Sequence, residues 1–169
     1  MKKTVLTFGL ISGGIMAAMM IITAYVGKNI GFDKAEILGY STMILAAVML
    51  FLGVKSYRDN MNNGVISFGT AFKVALLITL VSTLIYVITW MVLSYTVISD
   101  FMDVYSTAMV EKAKASGLSA EQLAAKQKEM QMYQEMYKNP IYRAALTFIE
   151  PLPVGIPMSL IAALILKKK

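Results

Sequence analysis

The sequence predicts an all-α polytopic membrane protein with four transmembrane helices and an extracytoplasmic helical hairpin between the third and the fourth. The first observation is composition: 57% of the 169 residues are hydrophobic and only 15% are charged, with a mean hydropathy of +0.64. A soluble domain is normally far less apolar. The second observation is that the apolar residues are concentrated in long uncharged stretches, and a bilayer core of about 30 Å needs about 20 such residues in a helix.

Four uncharged stretches are long enough to be considered as spans. They cover residues 4–26, 37–54, 74–99 and 151–166. The first three contain 23, 18 and 26 residues, and the fourth becomes long enough only when residues 146–150 join it. We therefore predict three segments: residues 1–99 with helices at about 4–26, 36–54 and 68–99, residues 100–145 as the hairpin, and residues 146–169 as the fourth helix with a basic tail.

The charges predict the orientation of these spans. With both termini on one side, that side carries eight basic residues and one acid, so 8 minus 1 gives +7, while the other side carries 8 basic and 9 acidic residues, which gives −1. Basic residues in short flanks face the cytoplasm. We therefore predict an inner-membrane protein with cytoplasmic termini. The nine charged residues of that side are Lys2, Lys3, Lys55, Arg58, Asp59, Lys73, Lys167, Lys168 and Lys169.

Residues 100–145 have the composition of surface helices, rich in lysine, glutamate, glutamine and alanine. Gly117 predicts the end of a first helix. Ser119 with Gln122 three residues later predicts a capping box at the start of a second helix, which ends before Pro140 because proline cannot continue the hydrogen-bond ladder. The second helix carries a stripe that is either a docking face or a packing face: Met130, Tyr133, Met136 and Tyr137.

The residue types that are absent exclude several classes of function. The chain has no cysteine and no histidine, so thiol chemistry, thiolate or imidazole metal sites and a histidine base are excluded. We predict no catalytic residue, no metal site and no cofactor. The net charge of +6 follows the membrane topology, so we predict no nucleic-acid partner.

The predicted cytoplasmic loop holds the densest group of polar side chains. Lys55, Tyr57, Arg58, Asp59 and Asn63 are candidates for binding anionic lipid headgroups or a protein partner, since cationic side chains around a turn can hold phosphate. The alternative is that these residues set the topology and form a turn, with Asp59 paired to Arg58 or Lys55.

Glu150 is a second candidate, at the predicted interface between the membrane and the outside. Pro151, Pro153 and Pro157 follow it, and prolines free backbone carbonyls that a cation or a neighbouring helix can use. The alternative is a structural anchor that meets Lys34, Arg143 or a helix N-terminus.

Small residues at four-residue spacing predict close helix packing in the membrane. Gly9 and Gly13 form one row in the first span, and Gly155, Ser159 and Ala163 form another in the fourth. The expectation is that these two spans pack on each other or that one row forms a homodimer contact.

The loop also carries a family resemblance. Gly53-x-Lys55-x-Tyr57-Arg58-Asp59, followed by Gly64-x-Ile66-Ser67-Phe68-Gly69-x-Ala71-Phe72, resembles the signature of Domain of Unknown Function 4199, a bacterial membrane family found mainly in Bacteroidetes. The resemblance extends over essentially the whole chain. It implies a four-helix membrane fold and directs attention to residues 55–72, and it implies no catalytic residues.

Three hypotheses of function follow. The first is a noncatalytic scaffold or accessory subunit that binds a membrane protein or lipids through the hairpin and the Arg58 loop. The alternative is a small oligomeric transporter or channel, with a path lined by Thr79, Ser82, Thr83 and Thr89. The third is an enzyme acting on lipid headgroups through Asp59 or Glu150, for which the sequence offers no companion residues.

Overall fold

The computed structural model describes residues 1–168, without the side chains of residues 27–30. It contains α1 (Lys2–Ile30), α2 (Phe32–Met61), α3 (Phe68–Thr96), α4 (Phe101–Ala115), α5 (Ala120–Lys138), α6 (Pro140–Ile149) and α7 (Leu152–Leu166). Four segments are long and apolar enough to cross a membrane: Lys2–Val26, Phe32–Met61, Phe68–Thr96 and Pro140–Leu166. The predicted all-α fold with four membrane helices is therefore confirmed.

Helices α1 and α2 extend beyond the predicted spans at both ends, whereas α3 ends at Thr96, three residues earlier than predicted. A single residue, Gly31, separates α1 from α2, and its φ of 79° is a left-handed conformation that glycine adopts without a steric penalty. The fourth span begins at Pro140, earlier than the predicted residue 146, and consists of α6 and α7 with a break at Glu150 and Pro151. Proline at 151 and 153 removes two helical amide donors, which explains the break.

Helix α3 lies at the centre of the bundle and contacts α1, α2, α6 and α7. Its buried face consists largely of small or β-branched residues, including Ala71, Val74, Ala75 and Ile78. Large apolar side chains of all four spans point away from the bundle, for example Leu10, Leu45, Ile88 and Ile165. A bundle that is apolar outside as well as inside is suited to lipid as its solvent.

The two ends of the bundle differ. Met1, Tyr57 and Leu166 pack on the cluster that contains Ile66, which brings both termini and the α2–α3 loop to one end, called here the terminal end. Helices α4 and α5 pack on each other at the opposite end, called here the hairpin end. The capping box of Ser119 and Gln122 is confirmed, as is the end of α5 before Pro140.

Glycine at the contact between α1 and α3 lets their backbones approach closely. A Cβ atom on Gly9 would lie 2.6 Å from Val81 Cγ1, whereas a Cβ atom on Gly14 would meet nothing within 4 Å.

We expect Gly9→Ala to destabilise the bundle by about 1–3 kcal/mol, because the helices must separate. Gly14→Ala is the matched control and should leave the stability unchanged or slightly higher, since alanine favours helix. Thermal unfolding in nanodiscs measures both, and equal unfolding temperatures for the two variants would contradict the close contact.

Candidate functional site

The terminal end is closed by contacts between the α2–α3 loop and the C-terminal segment. Ile66 and Lys168 exchange two backbone hydrogen bonds, with N–O distances of 2.8 and 2.9 Å. Arg58 Nη1 donates to the Leu166 carbonyl at 3.3 Å, while Arg58 Nε and Nη2 donate to the two Asp59 carboxylate oxygens at 2.6 and 3.2 Å. The guanidinium thus joins the end of α2 to the end of α7.

These contacts change the interpretation of the five loop candidates. Arg58 and Asp59 bind each other, as the turn-forming alternative expects, and Tyr57 packs against the buried cluster. Asn63 is an exposed turn residue with a φ of 54°. Lys55 is exposed near the end of α2.

Lysines surround this end of the bundle. All of them are exposed, and they come from the start of α1, the end of α2, the first turns of α3 and the C-terminal segment. They are Lys2, Lys3, Lys55, Lys73, Lys167 and Lys168, called here the basic rim. The rim is a concentration of positive charge of the kind that attracts anionic lipids.

At the hairpin end, an aromatic cluster attaches α4 and α5 to α3. Trp90 Nε1 donates to the Tyr137 hydroxyl at 2.5 Å, and the Phe101 ring meets the Trp90 ring edge to face with 4.8 Å between centroids. Burial raises the pKa of Tyr137 to about 12. A phenol is protonated at neutral pH even at its ordinary pKa of about 10, so Tyr137 can accept from Trp90 while keeping its own proton.

Arg143 completes this attachment from α6. Its guanidinium carbon lies 4.5 Å from the ring centroids of both Tyr95 and Tyr137. Its Nε and Nη2 donate to the Tyr137 carbonyl at 3.2 and 3.0 Å, and Nη1 donates to Ser94 Oγ at 3.1 Å. One cation between two aromatic rings, with three hydrogen bonds, joins α3, α5 and α6.

Helix α4 has its own contacts with α2. Phe32 packs edge to face on Phe101 and Tyr105, with centroid distances of 6.2 and 5.7 Å. Lys112 Nζ donates to Asp33 Oδ1 at 2.6 Å, and this hydrogen bond raises the pKa of Lys112. The ion pair is exposed, so the aromatic contacts contribute more to the attachment than the charges do.

The methionine and tyrosine stripe of α5 packs inward. Met130 is buried, and Tyr133, Met136 and Tyr137 are partly buried. The packing alternative is therefore the one that the structure shows. An open face of the hairpin lies on α4, where a shallow depression, called here the α4 face, is lined by Asp103, Val104, Thr107, Ala108 and Glu111.

Glu150 lies at the break in the fourth span, between α6 and α7. Its carboxylate is beside the Tyr86 hydroxyl and near Glu36. The residue as a whole lies at the surface of the bundle and is exposed. Arg143, one of the partners expected for it, instead donates to Tyr137 and Ser94. The structure thus places Glu150 apart from the lysines of the basic rim and beside a tyrosine of α3.

The two rows of small residues both pack on α3. The prediction that these rows bring spans one and four directly together is wrong. Gly9 and Gly13 face Val81 and Ile85, and Gly155 faces Thr79. Ser159 is fully buried, with its hydroxyl 3.1 Å from Thr79 Oγ1. Since these residues are covered by α3 within one chain, they are not available for a homodimer contact.

The four α3 residues that the transporter hypothesis places along a path lie in two different environments. Thr79, Ser82 and Thr83 line a small space among α1, α2, α3 and α7. Thr89 does not line it, and its hydroxyl donates to the Ile85 carbonyl at 2.8 Å. The space has about 20 Å³ of room for the centre of a water-sized molecule, which fits one water and not a hydrated ion.

The architecture defines a class: a membrane protein of four long apolar helices, with a helical hairpin attached to its third span. Comparison with known proteins then gives the family. Residues 7–168 match the family described as Protein of unknown function (DUF4199), and the chain belongs to that family. No curated protein and no solved structure matches the chain.

Arg143→Lys tests the attachment of the hairpin. Lysine keeps the charge, but it lacks the planar guanidinium that can stack on two rings while its N–H groups donate in fixed directions. We expect amide hydrogen exchange in α5 to become several-fold faster, while exchange in α1 is unchanged. Lys138→Ala, which removes only an exposed pair with Glu135, is the control and should leave α5 protected. Equal exchange in both variants would show that Arg143 does not hold the hairpin.

Proposed function

We propose that the chain is a noncatalytic inner-membrane scaffold or accessory subunit, with its termini in the cytoplasm and its hairpin on the opposite side. The single observation that supports this best is the attachment of the hairpin to α3 through Trp90, Tyr137 and Arg143. A surface fixed in advance loses little conformational entropy on binding, so a partner can bind it with few contacts.

The partner surface in this proposal is the α4 face. It combines apolar and small residues with Asp103 and Glu111 at its ends, and it lies on one side of one helix. Asp103 is held by a hydrogen bond from Gln134 Nε2 at 3.1 Å. A helix of a membrane protein partner, carrying basic residues at its flanks, fits this arrangement.

The second contact in this proposal is with the bilayer. The basic rim would hold anionic headgroups at the cytoplasmic surface, and Arg58 would act indirectly by fixing the C-terminal segment that carries Lys167 and Lys168. This changes the role expected for Arg58 from a headgroup ligand to a positioning residue.

A photoreactive amino acid placed at Thr107 tests the scaffold proposal. Thr107 is exposed on the α4 face, and Gln127, exposed on α5, is the matched control position. After irradiation of native membranes, we expect one stoichiometric adduct with a second membrane protein at position 107 and none at position 127. When the protein is then extracted from these membranes in a mild medium that keeps lipids, it should retain anionic phospholipids.

Two results would contradict the proposal. Adducts at position 107 that contain only lipid would show that no protein covers the α4 face. Adducts between two copies of this chain, in particles that hold only lipid or small molecules, would favour the transporter alternative and make solute flux in liposomes the next measurement.

A further inference from the structure

A small, partly open space within the bundle is lined by polar as well as apolar side chains. It lies where α1, α2 and α3 meet the beginning of α7, and about 20 Å³ is open to the centre of a water-sized molecule. That is enough for one water, which needs about 10–15 Å³ by this measure. Three of the residues that line it carry hydroxyl groups and come from α1 and α3: Ser12, Ser82 and Thr83.

The Thr83 hydroxyl is the unusual group in this space. Thr83 is 0% exposed, and its Oγ1 atom has no hydrogen-bond partner among the described protein atoms. The acceptor that a helical threonine normally uses is the carbonyl four residues earlier, but the Thr79 carbonyl already accepts from Ser82 Oγ at 2.9 Å. In the membrane interior, a hydroxyl without a partner is unfavourable.

The neighbouring hydroxyls determine what kind of molecule fits. Ser12 Oγ donates its proton to the Ala46 carbonyl at 3.1 Å, and Ser82 Oγ donates to Thr79. Because each serine hydroxyl has one proton, both oxygens offer only lone pairs to the space. The complementary ligand is therefore a small molecule that donates hydrogen bonds to them and accepts one from Thr83.

The ligand is also neutral, because none of the twelve residues around the space carries a charged side chain. A cation would lose its hydration energy at this depth without a carboxylate to compensate. The volume of the space, the hydrogen-bonding groups around it and the absence of charged side chains all fit a single water molecule.

We propose that this space is a binding site for a single structural water molecule, which accepts from the Thr83 hydroxyl and donates to Ser12 and Ser82. The water joins α1 to α3 by hydrogen bonds within the membrane. Ser82 and Thr83, which the transporter hypothesis places along a transport path, therefore stabilise the folded bundle. The proposal is independent of the scaffold function.

Thr83→Val distinguishes a hydrated space from an empty one by the sign of its effect. If water is bound, the variant removes one of its partners, and we expect the unfolding temperature in nanodiscs to fall by about 2–4 °C. If the space is empty, valine removes an unsatisfied hydroxyl and the unfolding temperature should rise. Thr89→Val is the control on the same helix, outside the space, and should change the temperature by less than about 1 °C.

A direct measurement on the unchanged protein supports the test if the variant does not fold. In lipid bilayers, solid-state NMR with magnetisation transfer from water should show one immobilised water in contact with the Thr83 side chain. An unfolding temperature for Thr83→Val equal to or above that of the unchanged protein, or no transfer to Thr83, would overturn the proposal. A wild-type unfolding temperature that rises with Na⁺ but not with choline would also overturn it, since the ligand would then be a cation.

Discussion

Close approach of the other spans to α3 is the constraint on which the rest of the structure depends. In lipid, the hydrophobic effect does not drive helices together, so association depends on van der Waals contact and interhelical hydrogen bonds. Gly9 and Gly13 of α1, Gly53 of α2 and Gly155 of α7 each face a side chain of α3 with no room for a Cβ atom. These four glycines let three spans meet one central helix.

The same helix organises the hairpin end. Beyond its buried glycine contacts, α3 presents Trp90, Ser94 and Tyr95, which bind Tyr137 and Arg143 from α5 and α6. A hairpin attached only by its two chain connections would move freely relative to the membrane. This attachment fixes the orientation of the α4 face relative to the membrane, which a scaffold requires and a solvent-exposed linker does not.

Local features were predictable from the sequence because each depends on residues close in the chain. The four apolar spans, the Ser119 capping box and the end of α5 before Pro140 are of this kind. The length of the fourth span was less accessible, because Arg143 within α6 interrupts the uncharged stretch that was used to place the span.

Partners distant in sequence were not predictable from spacing alone. The glycine rows indicated close packing but not that both rows face α3. The sequence suggested Asp59 as a partner of Arg58 and Glu150 as a partner of Arg143, but nothing nearby in the chain identifies the Leu166 carbonyl or the two tyrosine rings as their partners. The lack of a hydrogen-bond partner for the Thr83 hydroxyl likewise depends on how four helices distant in sequence pack around it.

In the proposed topology, the termini and the α2–α3 loop lie on one side of the membrane and the hairpin lies on the other. The chain has no cysteine, so a single cysteine at Asn63 or at Thr107, both exposed, can be labelled without background. In intact spheroplasts, a membrane-impermeant maleimide should label Thr107→Cys at once and Asn63→Cys only after the membrane is opened. Labelling of both positions before the membrane is opened would contradict this topology.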